Sequence, residues 1–332
     1  MNRVCVWICI MAFLLAGCGH KAAKKASPPL TISQKLNRSG ASDRERYGLV
    51  GPVREQRCRT VALRAGERGP VEAGWKQVFS RRYRRDGRLS EIIVRNSPLQ
   101  DPEGRSSRVV NRWSVDGRNG EQLCYGRDGK LNEKIVFTFD GRDKLPETDC
   151  YGPDGSLQGK FVRQYDADGR ETEERSYRPD GSVSWKRTMK YETGGTEQSS
   201  QYGPNGKLES VSVSIPLAKG NGFEAVFSDG NGRLQNKHVC RFDAHWNATE
   251  DVWSKPDGRL MSKRAWSLDA KGNVLVHTEW NANGSIKLKE SSEYTFDSKG
   301  NWTKRMVFRQ VTKNGKPEMA PYEVCYRAIA YY

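Results

Sequence analysis

The chain has 332 residues and a formal net charge of +16, from 56 Lys and Arg against 40 Asp and Glu. Only 36% of residues are hydrophobic and mean hydropathy is −0.81, which excludes a multi-span helical membrane protein and argues against an enzyme built round a thick aliphatic core. Nine Trp, 13 Tyr, 10 Phe and 33 Gly exclude a disordered chain and fit many short strands joined by tight turns, while four His leave little material for acid–base or metal chemistry.

Residues 1–17 open with Arg3 and continue as an apolar run from Val4 to Ala16. The run is too short to span a bilayer and has the length of a signal-peptide core. It ends in Leu15-Ala16-Gly17-Cys18, which resembles the lipobox of bacterial lipoprotein signal peptides. That resemblance implies cleavage before Cys18 and acylation of Cys18, which anchors the mature chain to a membrane. More than one acyl chain makes such an anchor stable, at roughly 0.8 kcal/mol per buried CH₂. Gly19 stands where an Asp would retain enterobacterial lipoproteins in the inner membrane, so the resemblance implies the outer membrane of the cell envelope. Residues 18–46 are rich in Lys, Ala, Ser and Pro without apolar periodicity, and read as a flexible basic tether.

Residues 47–332 read as one repeat domain. Glycines of Asp-Gly and Asn-Gly pairs recur at Gly129, Gly155, Gly181, Gly206, Gly232, Gly258 and Gly284, in steps of 25 or 26 residues. A second series interleaves: Gly141, Gly169, Gly195, Gly220, Trp246, Gly272 and Gly300, with Trp246 in a glycine position. An aliphatic residue follows each first-series glycine by two, from Leu131 to Ile286, and an aromatic usually precedes it by four, as at Tyr125, Tyr151, Tyr177, Tyr202 and Trp280. Aromatic–acid pairs precede the second series, as at Tyr165-Asp166 and Phe296-Asp297. Asp-Gly and Asn-Gly predict hairpin turns in which both central residues reach φ > 0. The fold class is therefore all-β: an array of antiparallel hairpins of about 26 residues each, making a long curved or spiralling meander of about eighteen strands. Tyr47 to Arg54 reads as a leading capping strand, Asn96 to Ser107 as a long loop, and Tyr322 to Tyr332 as a final capping strand. A transmembrane barrel fails on alternation, because Glu171, Glu173 and Arg175 share one face of a strand and Thr172, Glu174 and Ser176 the other.

Tyr83-x-x-Asp86-Gly87-Arg88-Leu89, Tyr165-Asp-Ala-Asp-Gly-Arg170 and the stretch Phe296 to Arg305 resemble the YD repeats of RHS-type proteins, as carried by some bacterial lipoproteins. The resemblance covers roughly residues 79 to 332 and implies a β-shell fold. The chain is too short for the large shells that enclose toxins and has no further domain after the array, so no toxin role carries over.

Site chemistry is sparse. Cys58, Cys124, Cys150, Cys240 and Cys325 remain after removal of the leader. Cys124 and Cys150 hold equivalent positions in adjacent repeats. In a meander they lie on alternate strands, about 9–10 Å apart and beyond disulfide reach, whereas a one-strand-per-coil solenoid would let them pair. The pairing of the five stays open. No spacing of His with Cys suggests a metal, and no nucleophile or phosphate-loop motif is present. The chain is therefore read as a non-enzymatic protein without cofactor or metal, presenting a β-surface for binding or structure. Tyr125, Tyr151, Tyr177, Tyr202 and Trp280 are candidate stacking residues on that surface. Export disfavours nucleic acid as the partner of the positive charge; an anionic envelope polymer, a glycan or a protein fits better. An immunity-type lipoprotein that sequesters one protein partner is the alternative.

Overall fold

The computed structural model describes residues 43–332, except 67–68, 97–107, 115–118, 127, 141–143 and 220. Cys18, the leader 1–17, the tether as far as residue 42 and the loop after Asn96 thus lie outside the described residues. A helical turn, α1 (Asp43–Arg46), comes first. Twenty strands follow among the described residues: β1 (Val53–Gly66), β2 (Gly69–Tyr83), β3 (Leu89–Asn96), β4 (Arg108–Trp113), β5 (Asn119–Tyr125), β6 (Leu131–Thr138), β7 (Glu147–Tyr151), β8 (Leu157–Tyr165), β9 (Glu171–Tyr177), β10 (Val183–Tyr191), β11 (Glu197–Tyr202), β12 (Leu208–Pro216), β13 (Asn221–Asp229), β14 (Leu234–Phe242), β15 (Ala248–Ser254), β16 (Leu260–Leu268), β17 (Val274–Trp280), β18 (Ile286–Phe296), β19 (Trp302–Lys313) and β20 (Lys316–Tyr331).

Each strand pairs antiparallel with its neighbours in sequence, and β1 also pairs with β20, Val53 to Ala62 running against Tyr331 to Glu323. The meander therefore closes into a barrel. This corrects the open, curved or spiralling array of about eighteen strands. The terminal strands do not shield two edges; they pair with each other and leave none. The expected leading strand also shifts. Tyr47 to Pro52 are not in a strand, which starts at Val53.

The turns explain the repeat. In the first series the glycine N–H donates to the carbonyl three residues back, as Gly155 to Gly152 at 3.0 Å, and Gly152 N donates to Ser156 O at 2.8 Å. Gly155 sits at φ +81°, while the only non-glycine residues with positive φ among the described residues are Trp246 and Asn314. The Asp of each Asp-Gly pair is thus not left-handed. These are type I turns closed by a glycine bulge, with a register shift at Cys150/Tyr151 and its equivalents. Asn314-Gly315, at φ +51° and +74°, has the two left-handed residues expected of all the turns.

The aromatic–acid pairs act at the other end of the hairpins. Asp166 accepts from Arg170 N at 2.8 Å, Asp269 from Asn273 N at 2.9 Å and Asp297 from Asn301 N at 2.9 Å. Each carboxylate closes its own turn. The aromatic partner ties that turn to an earlier one. Tyr165 Oη donates to Leu145 O at 3.1 Å and Tyr191 to Glu171 O at 2.7 Å; before Asp297 the aromatic is Phe296, and Tyr294, two residues earlier, makes the equivalent bond to Val274 O at 3.0 Å.

Apolar burial is divided rather than central. One cluster holds Ile135, Phe137, Leu145, Cys150 and Phe161, with Phe139 and Trp185 against it. The second lies at the closure, where Leu49 and Val53 pack on Tyr83 and Leu89. The segment before β1 is pinned there. Asp43 accepts from Leu89 N at 2.6 Å, and buried Asn301 bonds both the N–H and the carbonyl of Val50. The last four residues of the predicted tether, Asp43–Arg46, are therefore docked on the barrel.

Candidate functional site

Following the register round the barrel separates two faces. One carries Cys58, Phe79, Phe137, Cys150, Phe161, Glu174, Trp185, Arg187, Phe227, His238, Trp253, Arg264, His277, Glu290 and Arg309. We term it the Trp/Phe face. The other carries Arg108, Tyr125, Lys134, Tyr151, Lys160, Tyr177, Lys186, Tyr202, Lys263 and Trp280, and is termed the Lys/Tyr face.

All five sequence-predicted stacking residues fall on the Lys/Tyr face, and all are half-buried. Each stands directly across from a cation: Tyr125 from Arg108, Tyr151 from Lys134, Tyr177 from Lys160, Tyr202 from Lys186 and Trp280 from Lys263. Arg108 lies 5.3 Å from the Tyr125 ring centre, Lys186 4.8 Å from that of Tyr202 and Lys263 5.2 Å from that of Trp280. Cross-strand cation–π pairing of this kind contributes about 0.5–1 kcal/mol where exposed. The basic column has the same period as the aromatic one and was visible in the sequence as Arg108, Lys134, Lys160 and Lys186, 26 residues apart. It escapes notice because lysines read as generic surface. The cations also have acid partners, Lys134 with Glu121 and Lys160 with Glu147 at 2.7 Å, and Lys263 with Glu250 at 2.9 Å. The stripe so formed can stack on a sugar ring and at the same time offer a positive charge beside it.

The Trp/Phe face holds less exposed charges. Glu174 receives Arg163 at 2.8 Å and Arg187 at 2.7 Å. His238 stacks on Trp253 at 4.2 Å and meets Asp251 through Nε2 at 2.9 Å, and Arg264 donates to the other oxygen of Asp251 at 3.1 Å. Cys240 lies beside them, and the ligand atoms of His238, Cys240 and Asp251 are within 4.8 Å of one another. The sequence reading of no metal spacing missed this group. Its signal is His-x-Cys on one strand facing Asp on the next. The set offers N, S and O donors of the kind a zinc or copper ion takes. As it stands the thiol is pushed up to about 11 by burial and by the Asp251 charge, and the carboxylate already holds a guanidinium and an imidazole. His277 is likewise drawn into contacts, stacking on Trp266 at 5.6 Å.

None of Cys58, Cys124, Cys150, Cys240 and Cys325 is joined in a disulfide in this structure. Cys124 and Cys150 lie on β5 and β7 with β6 between them, as the meander reading requires.

No helix among the described residues is long and apolar enough to cross a membrane. No family model matches the chain, and no curated protein matches it. Among solved structures, it is similar to a porin-like protein from Bacteroides uniformis at 11% identity and a TM-score of 0.33, covering 85% of this chain and 98% of that one. It is also similar to two TcdB2–TccC3 structures at 10% identity, with TM-scores of 0.19 and 0.20, spanning about a fifth of their length. Likenesses this distant carry no argument about the fold, which rests on the strand pairings alone.

Proposed function

We propose that the chain is a non-enzymatic lipoprotein of the bacterial cell envelope, anchored through Cys18, whose closed barrel presents a basic–aromatic stripe to an anionic envelope glycan. The observation that carries this reading is the recurrence of a cation directly across from an aromatic at five places on one face. Acidic sugar polymers need both an apolar ring surface and a positive charge at regular spacing. The resemblance to lipoproteins with RHS/YD-type repeats supports the anchor and the shell. The barrel itself offers lipid no apolar band. Lys160 and Lys186 mark one face, and Glu174 and Arg187 the other. Membrane attachment is therefore assigned to the acyl chains, and the barrel to water.

Two experiments test the two halves. Fractionation of cells expressing Cys18→Ala should show loss of palmitate labelling and of membrane attachment; a membrane-bound, unlabelled Cys18→Ala chain would contradict the anchor. Sedimentation of the purified protein with acidic cell-wall polysaccharide should show binding that falls at least tenfold in Tyr202→Ala with Trp280→Ala. Undiminished binding in that folded variant, or none in the wild type, would remove the glycan reading.

A further inference from the structure

The β1–β20 seam brings two cysteines together from the two ends of the domain. Cys58 stands opposite Arg327 and Cys325 opposite Thr60, so the cysteines are diagonal neighbours on one face. The right-handed twist of paired strands brings one diagonal of each cross-strand quartet closer than the other. Each thiol acts on the ionisation of the other. The surroundings favour a sulfur anion. Gln56 Nε2 donates to Cys58 Sγ at 3.2 Å. Arg327 is 9% exposed, has no carboxylate partner among the described residues, and keeps Nε and Nη1 without an acceptor. It lies against the Trp302 ring at 3.4 Å. Cys325, the Gln56 bond and the Arg327 charge outweigh burial and lower the Cys58 thiol to about 6, while Cys325 is raised in turn by Cys58 and by burial. The pair thus holds one readily lost proton. Cys58 is buried, whereas Cys325 is partly exposed.

We propose that Cys58 and Cys325 are a disulfide-forming pair that locks the barrel shut across its closure seam. The chemistry is thiol–disulfide exchange with an oxidised disulfide, of protein or of glutathione. The Cys58 thiolate takes the Cys325 proton as the partly exposed Cys325 sulfur attacks one sulfur of that disulfide and expels the other as thiolate, which then takes that proton from Cys58. Cys58 thiolate, held by Arg327, then attacks the Cys325 sulfur of the mixed disulfide and expels the second thiolate. One S–S bond breaks and one forms; the pair loses two electrons and two protons, and the partner is reduced to two thiols. The bridge closes a loop that contains nearly the whole array, where the chain-entropy gain is largest. That it forms in the cell rests on the export reading above; that the pair can form it does not.

The test is a peptide map of the purified full-length chain after equilibration in oxidised and reduced glutathione, followed by unfolding and alkylation. The expected result is a linked Cys58–Cys325 peptide pair, alkylation of Cys124, Cys150 and Cys240, and a thermal midpoint that falls by about 5 °C or more on reduction. The fall on reduction should vanish in Cys58→Ser with Cys325→Ser. Alkylation of both seam cysteines across the whole range of buffers, or a link between another pair, would overturn the proposal. A parallel map of protein trapped with alkylating agent in living cells separates the two claims. Seam thiols reduced in the cell but linked in the glutathione buffer would uphold the pair and contradict export.

Discussion

Single residues carry the repeat. Gly258 stands at φ +85° with no atom within 4 Å of where a Cβ would lie, so its substitution costs only backbone strain. Gly258→Ala should destabilise the barrel by about 1–2 kcal/mol, read from the urea midpoint at unchanged slope. Trp246 tolerates the same conformation at φ +63° with its ring 5.4 Å from that of Phe242. The turn aspartates set acid stability. Burial raises Asp243, Asp269 and Asp297, but bonds from Asn side chains, Tyr331 and backbone N–H groups outweigh it and leave all three below the usual carboxylate range. A folded value below the unfolded one means stability that is fully present above about pH 4 and lost as the pH falls through the folded values. The thermal midpoint should therefore hold down to about pH 5 and drop below about pH 4. Asp297→Asn should lower the midpoint at neutral pH and flatten that drop. Glu171, raised by burial and then by the Glu174 charge, opposes the trend in part. The sequence showed these aspartates as the second half of an aromatic–acid motif. It did not show that the carboxylate closes the turn, nor that Tyr165 and Tyr191, the aromatics of two further pairs, bond a carbonyl twenty residues back, because that partner becomes a neighbour only through the pairing of the intervening strands.

Strands and hairpins follow the same logic one level up. One strand and one turn take about 13 residues, so a side chain meets the one 13 positions on. Glu121 with Lys134, Glu174 with Arg187 and Asp251 with Arg264 all have that separation. The half-period was legible as two interleaved glycine series, but the charges placed on it were not read as a ladder. Their worth depends on the face. Glu174 is 4% exposed and holds Arg163 and Arg187, so Glu174→Ala removes the shortest ion pair of each, leaving Glu171 at 3.9 and 3.2 Å, and should cost about 2 kcal/mol. Lys160 and Glu147 lie about one-third exposed, and Lys160→Ala should change stability by no more than about 0.5 kcal/mol. Chemical denaturation of the two variants side by side checks the contrast. Hairpin positions were read correctly from Asp-Gly and Asn-Gly, whereas the turn type was not. The same dipeptide serves a two-residue loop with both residues left-handed and a longer loop with only the glycine so, and the loop length decides.

Closure belongs to the whole molecule. Nothing local in β1 or β20 announces that they meet; the accumulated curvature of eighteen intervening strands decides it, and a period carries no record of that sum. The same holds for the seam, where Cys58, Arg327 and Tyr331 come from opposite ends of the chain. Composition, in contrast, anticipated the absence of a thick core: among the described residues the buried apolar side chains gather in two modest clusters, with aromatic stacks such as Phe227 on Trp253 between strands elsewhere. Closure is tested most directly by hydrogen exchange resolved to single amides along β1 and β20. A closed barrel predicts that every amide from Glu55 to Ala62, and from Glu323 to Ala330, is protected to the same degree as those of β8 and β9. Alternate amides exchanging rapidly along either strand, as at an open sheet edge, would contradict it.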